Sequence, residues 1–276
     1  GEEVNRSPTQ AYRRYVINFG ERSLEEAAAW PGLLAIVRER VKPARARLRD
    51  NTDGRRRRKY WWQFGRVTPA LWRGLATVPR ALVTSIVTKH LAFSFQPPDR
   101  VFSHKLQVFL LPGYEHFAVL QSRVHERWAR LLSSTLETRL NYSASDCFET
   151  FPLPEAAALD PRGALAAAGR ALYEARARFM LETGQGLTRT YNALVDPEVT
   201  DARVASLRAL HRELDRAALA AYGWTELAPP PMTAPRGAHE RAALARFEDE
   251  LLDRLFALNA RRAAAEREAC LHEHVL

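Results

Sequence analysis

NYSASDCFETFPLPE, residues 141–155, ends in Pro-x-Pro and separates two stretches of different character. Before it stand short β-branched and aromatic runs punctuated by turn residues. After it stand long stretches with apolar residues at three- and four-residue spacing. An irregular connector between strand-sized and helix-sized patterns places a boundary near residue 155. The expected fold class is α+β: a mixed α/β module over residues 1–154, then an α-helical module over residues 155–276.

Downstream, helices are expected over 162–182, 201–222 and 236–270. In the second, Leu207, Leu210, Leu214, Ala217 and Ala221 form one stripe; in the third, Leu244, Phe247, Leu251, Leu255 and Leu258 do the same. APPPMTAPRG (228–237) joins them as a proline-stiffened linker. Upstream, RRYVINF (13–19) reads as a strand, and Ser23 three residues before Glu26 reads as a capping box. Pro31 interrupts that helix, and GLLAIVRERV (32–41) resumes it. ALVTSIV, LAFSF, KLQVFLL and FAVL, within 81–120, are further strand candidates, separated by the turn-like QPPDR and PGYEH. A helix is expected over 122–138.

The chain of 276 residues carries a formal net charge of +9, unevenly distributed. Residues 1–154 hold 25 Lys+Arg against 14 Asp+Glu, whereas 155–276 hold 16 against 18. Residues 38–66 alone hold 12 against 3, net +9. Local potential of that kind attracts a polyanion. Arginine supplies 37 of the 41 cations, and its planar fork suits phosphate and guanine. GC-rich codon usage accounts for a general arginine excess but not for its clustering.

Within that region RRRRKYWWQFG (55–65) sets five cations against a tyrosine and two tryptophans. Read as a cationic loop, it assigns Arg45, Arg47, Arg49, Arg55, Arg56, Arg57, Arg58 and Lys59 to phosphates. In an extended run Trp61 and Trp62 point to opposite sides, one into the core and one toward sugar, base or an arginine plane. The alternative is that both rings are core and the arginines a solvated loop. Base reading needs donors on a rigid scaffold. TKHLAFSFQ offers Lys89, His90, Ser94 and Gln96, and FSHKLQ offers Ser103, His104 and Lys105. These are expected to project from one sheet face, with Lys89/His90 and His104/Lys105 brought close by the intervening turn.

Catalytic signatures are missing from the sequence. There is no GxxxxGK[ST] loop, no GxGxxG after a strand, no GxSxG elbow and no HExxH. The tetrapeptide with which an amino-methylating enzyme grips a flipped base is absent too; QPPDR does not fit it. His116 and His125 lie nine apart without clustered carboxylates, and no CxxC pair points to zinc, so no metal site is expected. Cys147 and Cys270 read as reduced thiols. No apolar run approaches a membrane span, and the start lacks both Met and a secretory segment. The expectation is a cytoplasmic protein that is part of a longer chain and makes no membrane contact.

Seven stretches in order resemble one family: GEEVN (1–5), RYVINFGERSLEEA (14–27), VKPAR (41–45), RRKYWWQFG (57–65), NYSASDCFETFPLP (141–154), GLTRTYNALVDPE (186–198) and LRALHRELDRAALAAYGW (207–224). Together they are similar to the C-terminal target recognition region of MmeI-like adenine-specific DNA methyltransferases, a type II restriction-modification and phage-defence group. The resemblance implies sequence-specific duplex DNA binding in service of adenine N6 methylation. It implies S-adenosylmethionine for the parent protein, no cofactor in this chain, and a methyltransferase catalytic domain as partner in cis or in trans. It implies too that Phe148 and Phe151 pack against the core, with Ser145 and Asp146 satisfying backbone donors. Tyr191, Asn192 and Asp196 are expected to shape a loop and cap the helix near Asp201, or to touch DNA or the catalytic domain. Two other classes stay open: a protein-interaction module using the apolar helix stripes, and an RNA-processing enzyme with an unrecognised site.

Overall fold

A computed structural model describes residues 1–136 and 139–273. The chain forms two compact units, one of Arg13–Pro79 and one of Gly1–Tyr12 with Arg80–Leu276. The packing division therefore does not fall at residue 155. Leu172, Leu214, Leu251 and Leu255, all beyond it, share one hydrophobic core with Phe93, Trp128 and Tyr142 before it. The opening helix α1 (Glu2–Arg6) belongs with this larger unit and inserts Val4 into its core.

The smaller unit is helical. Residues 13–19, expected as a strand, are irregular despite their β-forming side chains, because tertiary neighbours decide strand propensity. Helix α2 (Leu24–Ala27) opens on the expected Ser23–Glu26 capping box. Helix α3 (Pro31–Arg40) starts afresh with Pro31 in its first turn, where no amide donor is needed. Helices α4 (Lys42–Ala46), α5 (Thr52–Lys59) and α6 (Pro69–Leu75) follow. Phe19, Ala27, Leu34, Val37 and Trp61 form the small core, with Ile17, Leu24, Val41 and Trp62 packed against it.

The larger unit holds two small antiparallel sheets and a helical stack. Strand β1 (Ala81–Ser85), β2 (Val87–Thr88), β3 (Ser94–Gln96) and β4 (Leu106–Phe109) come first. Strand β1 is central, with Val83 opposite Ser94 on β3 and Val108 on β4. FAVL, expected as a strand, instead lies in α7 (Tyr114–Gln121), where Phe117 through Leu120 are wholly buried. A short continuous apolar run fits a buried helix as well as a buried strand. Helix α8 (Arg123–Leu132) ends earlier than expected and gives way to β5 (Ser134–Leu136); Glu137 and Thr138 lie outside the described residues. Strand β6 (Arg139–Asn141) pairs with β5 and with β2 to make the second sheet.

The connector 144–148 winds as one π turn, buries Cys147 and Phe151, and sets the Phe148 ring 4.7 Å from Phe109. Asp146 Oδ1 accepts from the Ser145 hydroxyl at 3.3 Å, a side-chain pair in place of the expected backbone donors. Cys147 is a free thiol; the side chain of Cys270 lies outside the described residues. The three long helices form as expected: α9 (Ala164–Thr183), then α11 (Ala202–Ala221) and α12 (Ala238–Glu273) after the intervening α10 (Leu187–Val195). Helix α10 contains Tyr191 and Asn192, which were expected in a loop. Asp201 caps α11 by accepting from the Arg203 amide at 2.7 Å. No helix among the described residues is long and apolar enough to cross a membrane.

Candidate nucleic-acid interface

The cationic run 55–59 is a helix rather than a loop. Asn51 Oδ1 accepts from the Gly54 amide at 2.8 Å, capping α5, and Asp53 in the first turn with cations in the last suits the helix dipole. Successive helical residues point about 100° apart, so the five cations surround α5 instead of lining one side. Part of the set is bonded within the unit. Arg58 Nη1 donates to Leu48 O at 2.6 Å and its Nη2 to Asp50 Oδ1 at 2.6 Å. Arg56 Nη1 donates to Gly65 O at 2.6 Å, and Arg45 Nη1 to Tyr60 O at 3.0 Å. Arg57 Nε lies 2.9 Å from Asp53 Oδ2. Burial, then Arg57 and Arg56 nearby, lowers the pKa of Arg45 from its ordinary value. Arg47, Arg49, Arg55 and Lys59 are exposed, with Arg55 only loosely paired to Asp50 at 3.4 Å.

The rings build the unit. Trp61 is 7% exposed, with Lys42 Nζ 5.1 Å from its ring centre. Trp62 is half-buried, edge-on to both Tyr60 and Trp61, and its Nε1 donates to Arg22 O at 2.8 Å. Both are structural, and neither follows the alternation of an extended run, because Lys59 ends a helix and a turn follows.

The base-reading candidates occupy the larger unit and separate into three groups. Ser94 and Gln96 are buried, not projecting: Gln96 Nε2 donates to Ser94 Oγ at 3.2 Å, and its Oε1 accepts from Arg100. Gln96 and Arg100 line a cavity of about 330 Å³ with Gln10, Tyr173 and Arg176. Ser103, His104 and Lys105 are exposed at the turn entering β4, where Lys105 O accepts from the Ile86 amide at 3.0 Å. Lys89 and His90 follow β2 and converge on helix α10: Lys89 Nζ donates to Asn192 Oδ1 at 2.8 Å, and His90 Nε2 lies 2.9 Å from the same oxygen. Burial lowers the His90 pKa from its ordinary value, against the raising effect of the Asn192 bond.

The backbone under this pair is held as well. Thr88 Oγ1 donates to His90 O at 2.7 Å, and Arg130 Nη2 to Lys89 O at 3.2 Å. Tyr191 beside Asn192 is buried, with its hydroxyl bonded by Arg176 at 2.9 Å. Arg176, 2% exposed, also donates to Gln121 Oε1 and to Phe93 O. A cavity of about 390 Å³ lies alongside, lined by Lys89, His90, Tyr191, Arg123, Arg130 and His211 among others. Arg130 shows locally only as the i,i+4 partner of Glu126, and its bond to Lys89 O spans 41 residues; the Arg176 bond to Phe93 O spans 83. Asn192 was visible only as part of a resembling stretch.

No group of three or more His, Cys, Asp and Glu side chains able to hold a metal ion occurs among the described residues.

No curated protein matches the chain. Among solved structures it is similar to that of the Type IIL restriction-modification enzyme MmeI in complex with DNA, at 19% identity and a TM-score of 0.58. That match covers 86% of this chain but 28% of the other, so the chain spans under a third of that enzyme's length; the likeness shows the fold. The sequence pattern of the family described as the MmeI target recognition domain matches residues 6–155, more than half of the chain, and the chain belongs to that family.

Proposed function

We propose that the chain is the duplex-DNA recognition part of a restriction-modification protein that methylates adenine N6. The observation that carries this reading is the coincidence of two things: the family match over 6–155 and the net +9 concentrated in residues 38–66 inside it. In this reading Arg47, Arg49, Arg55 and Lys59 contact phosphates directly. Arg45, Arg56, Arg57 and Arg58 shape the cationic helix and strengthen its field. Lys89, His90, His104 and Lys105 read base edges; Ser94 and Gln96 hold the scaffold beneath them. The helical part braces the recognition part against the catalytic domain, in cis or in trans, or against the far side of the duplex.

S-adenosylmethionine serves the parent protein. Residues here do not fit it: among the described residues both sheets are antiparallel, without the parallel β–α crossover whose helix start receives such a cofactor. A cytoplasmic, bacterial setting follows from this function. The interaction-module reading loses its basis, because the α11 and α12 stripes fill the chain's own core through Leu207, Leu214, Phe247, Leu251 and Leu255.

The test is fluorescence anisotropy of labelled duplexes titrated with the chain at several salt concentrations. The reading expects affinity to fall steeply with salt, with a log–log slope steeper than about −3 from several phosphate contacts. Binding insensitive to salt overturns it.

A further inference from the structure

We propose that Asn192, on α10 and beyond the matched domain, is a positioning residue for base recognition: it orients Lys89 and fixes the tautomer of His90. The proposal rests on the DNA-recognition reading above. It deepens that reading by placing a determinant of sequence preference in the helical part.

The geometry is specific. Lysine's ammonium only donates, so the Asn192 atom facing Lys89 Nζ at 2.8 Å is the carbonyl oxygen. That oxygen also faces His90 Nε2 at 2.9 Å, so His90 carries its proton on Nε2 and leaves Nδ1 as an acceptor. One acceptor thus aligns two adjacent side chains of opposite remaining character. Lys89 keeps two N–H donors, and His90 presents an acceptor. A lysine on its flexible stem is a poor reader of bases; one donor anchored, with the other two held outward, approaches the forked geometry of direct readout.

The anchor sits beside a buried, hydrogen-bonded neighbour. Tyr191, next to Asn192 in sequence, is buried, lies 6.0 Å from the His90 ring and is bonded by Arg176. The Thr88 and Arg130 bonds hold the backbone of residues 89–90. Supporting bonds from three directions on a half-exposed Lys–His pair exceed what solvent-facing polarity requires. They match what a binding constellation requires of its support.

The test compares the wild type, Asn192→Ala, Asn192→Asp and Lys89→Ala in selection from a randomised duplex library, each checked for an unchanged melting temperature. A second readout is the imidazole ¹⁵N spectrum of His90. The expected result is that Asn192→Ala and Lys89→Ala relax the same base pair by about tenfold or more. Asn192→Asp, whose carboxylate still accepts from Lys89, keeps the preference at that base pair. The His90 spectrum moves from the Nε2-protonated form to a tautomer mixture in Asn192→Ala. If Lys89→Ala relaxes a base pair that Asn192→Ala leaves intact, with an unchanged spectrum, positioning is overturned while base reading by Lys89 stands. If neither substitution alters any position, the base-reading assignment of Lys89 fails and the proposal with it. Equal weakening at every position by Asn192→Ala marks a general structural role and also overturns it.

Discussion

Arg58 Nη2 lies 2.6 Å from Asp50 Oδ1 while its Nη1 donates to the carbonyl of Leu48 at 2.6 Å. Arg58 therefore closes the 48–58 turn onto helix α5, and only part of its guanidinium remains for a ligand. Charge and availability are different properties in this run. Arg58→Ala is expected to cost about 1 kcal/mol of stability through the lost carbonyl bond, most visible in denaturant unfolding.

The outward cations behave differently. Arg47→Ala and Arg49→Ala are expected to leave the melting temperature unchanged. Each should weaken all duplexes alike and flatten the salt slope by about one unit. Anisotropy titrations on matched and scrambled duplexes read both effects. A selective loss on one sequence contradicts a phosphate role.

Lys105→Ala is expected to act in the opposite way. Its side chain is exposed at the turn entering β4, on backbone fixed by the Ile86 amide. Removing it should relax preference at one position by about 1–3 kcal/mol, read by competition among single-base variants, with the salt slope changed by no more than about one unit.

Much of this architecture is legible in the sequence where the signal is local. The Ser23–Glu26 box, the Asp201 cap and the leucine spacing of the last helices appear where expected, because caps and 3.6-residue periodicity depend on near neighbours. Residues 13–19 have strand-forming side chains yet stay irregular, and only tertiary context decides that. The run 55–59 reads as a loop until Asn51 is recognised as its cap. Ser94 and Gln96 look like surface donors because their burial depends on tertiary packing, even though Arg100, the partner of Gln96 Oε1, lies only four residues on. The Lys89–Asn192 bond joins residues 103 apart, beyond any local pattern.

Acid stability follows from three buried groups in the larger unit. Burial holds His125 and His211 neutral, lowering both from 6.5 to about 3; Arg176 and Arg123 add to the effect at His211. Burial raises Asp215 to about 6, against the pull of Arg123. For the histidines the unfolded chain binds more protons between about pH 3 and 6.5, so stability falls as pH falls. For Asp215 the folded chain binds more between about pH 4 and 6, so stability rises as pH falls. Two histidines outweigh one aspartate, and the melting temperature should drop on acidification below about pH 6.5. In Asp215→Asn the opposing contribution disappears, and the drop should steepen. Melting curves from pH 8 to 4 check both slopes.

Close packing of α7 on α9 gives a further test. A Cβ on Gly169 would meet Tyr114 O at 2.4 Å and Ala118 Cβ at 3.1 Å. Gly169→Ala should therefore destabilise by about 1–3 kcal/mol despite alanine's better helix propensity, because backbone has to move. Gly237→Ala, with nothing near its Cβ, serves as the control in the same unfolding series.

The central claim is that this chain recognises duplex sequence. Its most direct test is selection of a randomised duplex library on the purified 276-residue chain at moderate salt, read by sequencing. Enrichment of one short motif is the expected result. No retention of any duplex, even at low salt, would contradict it.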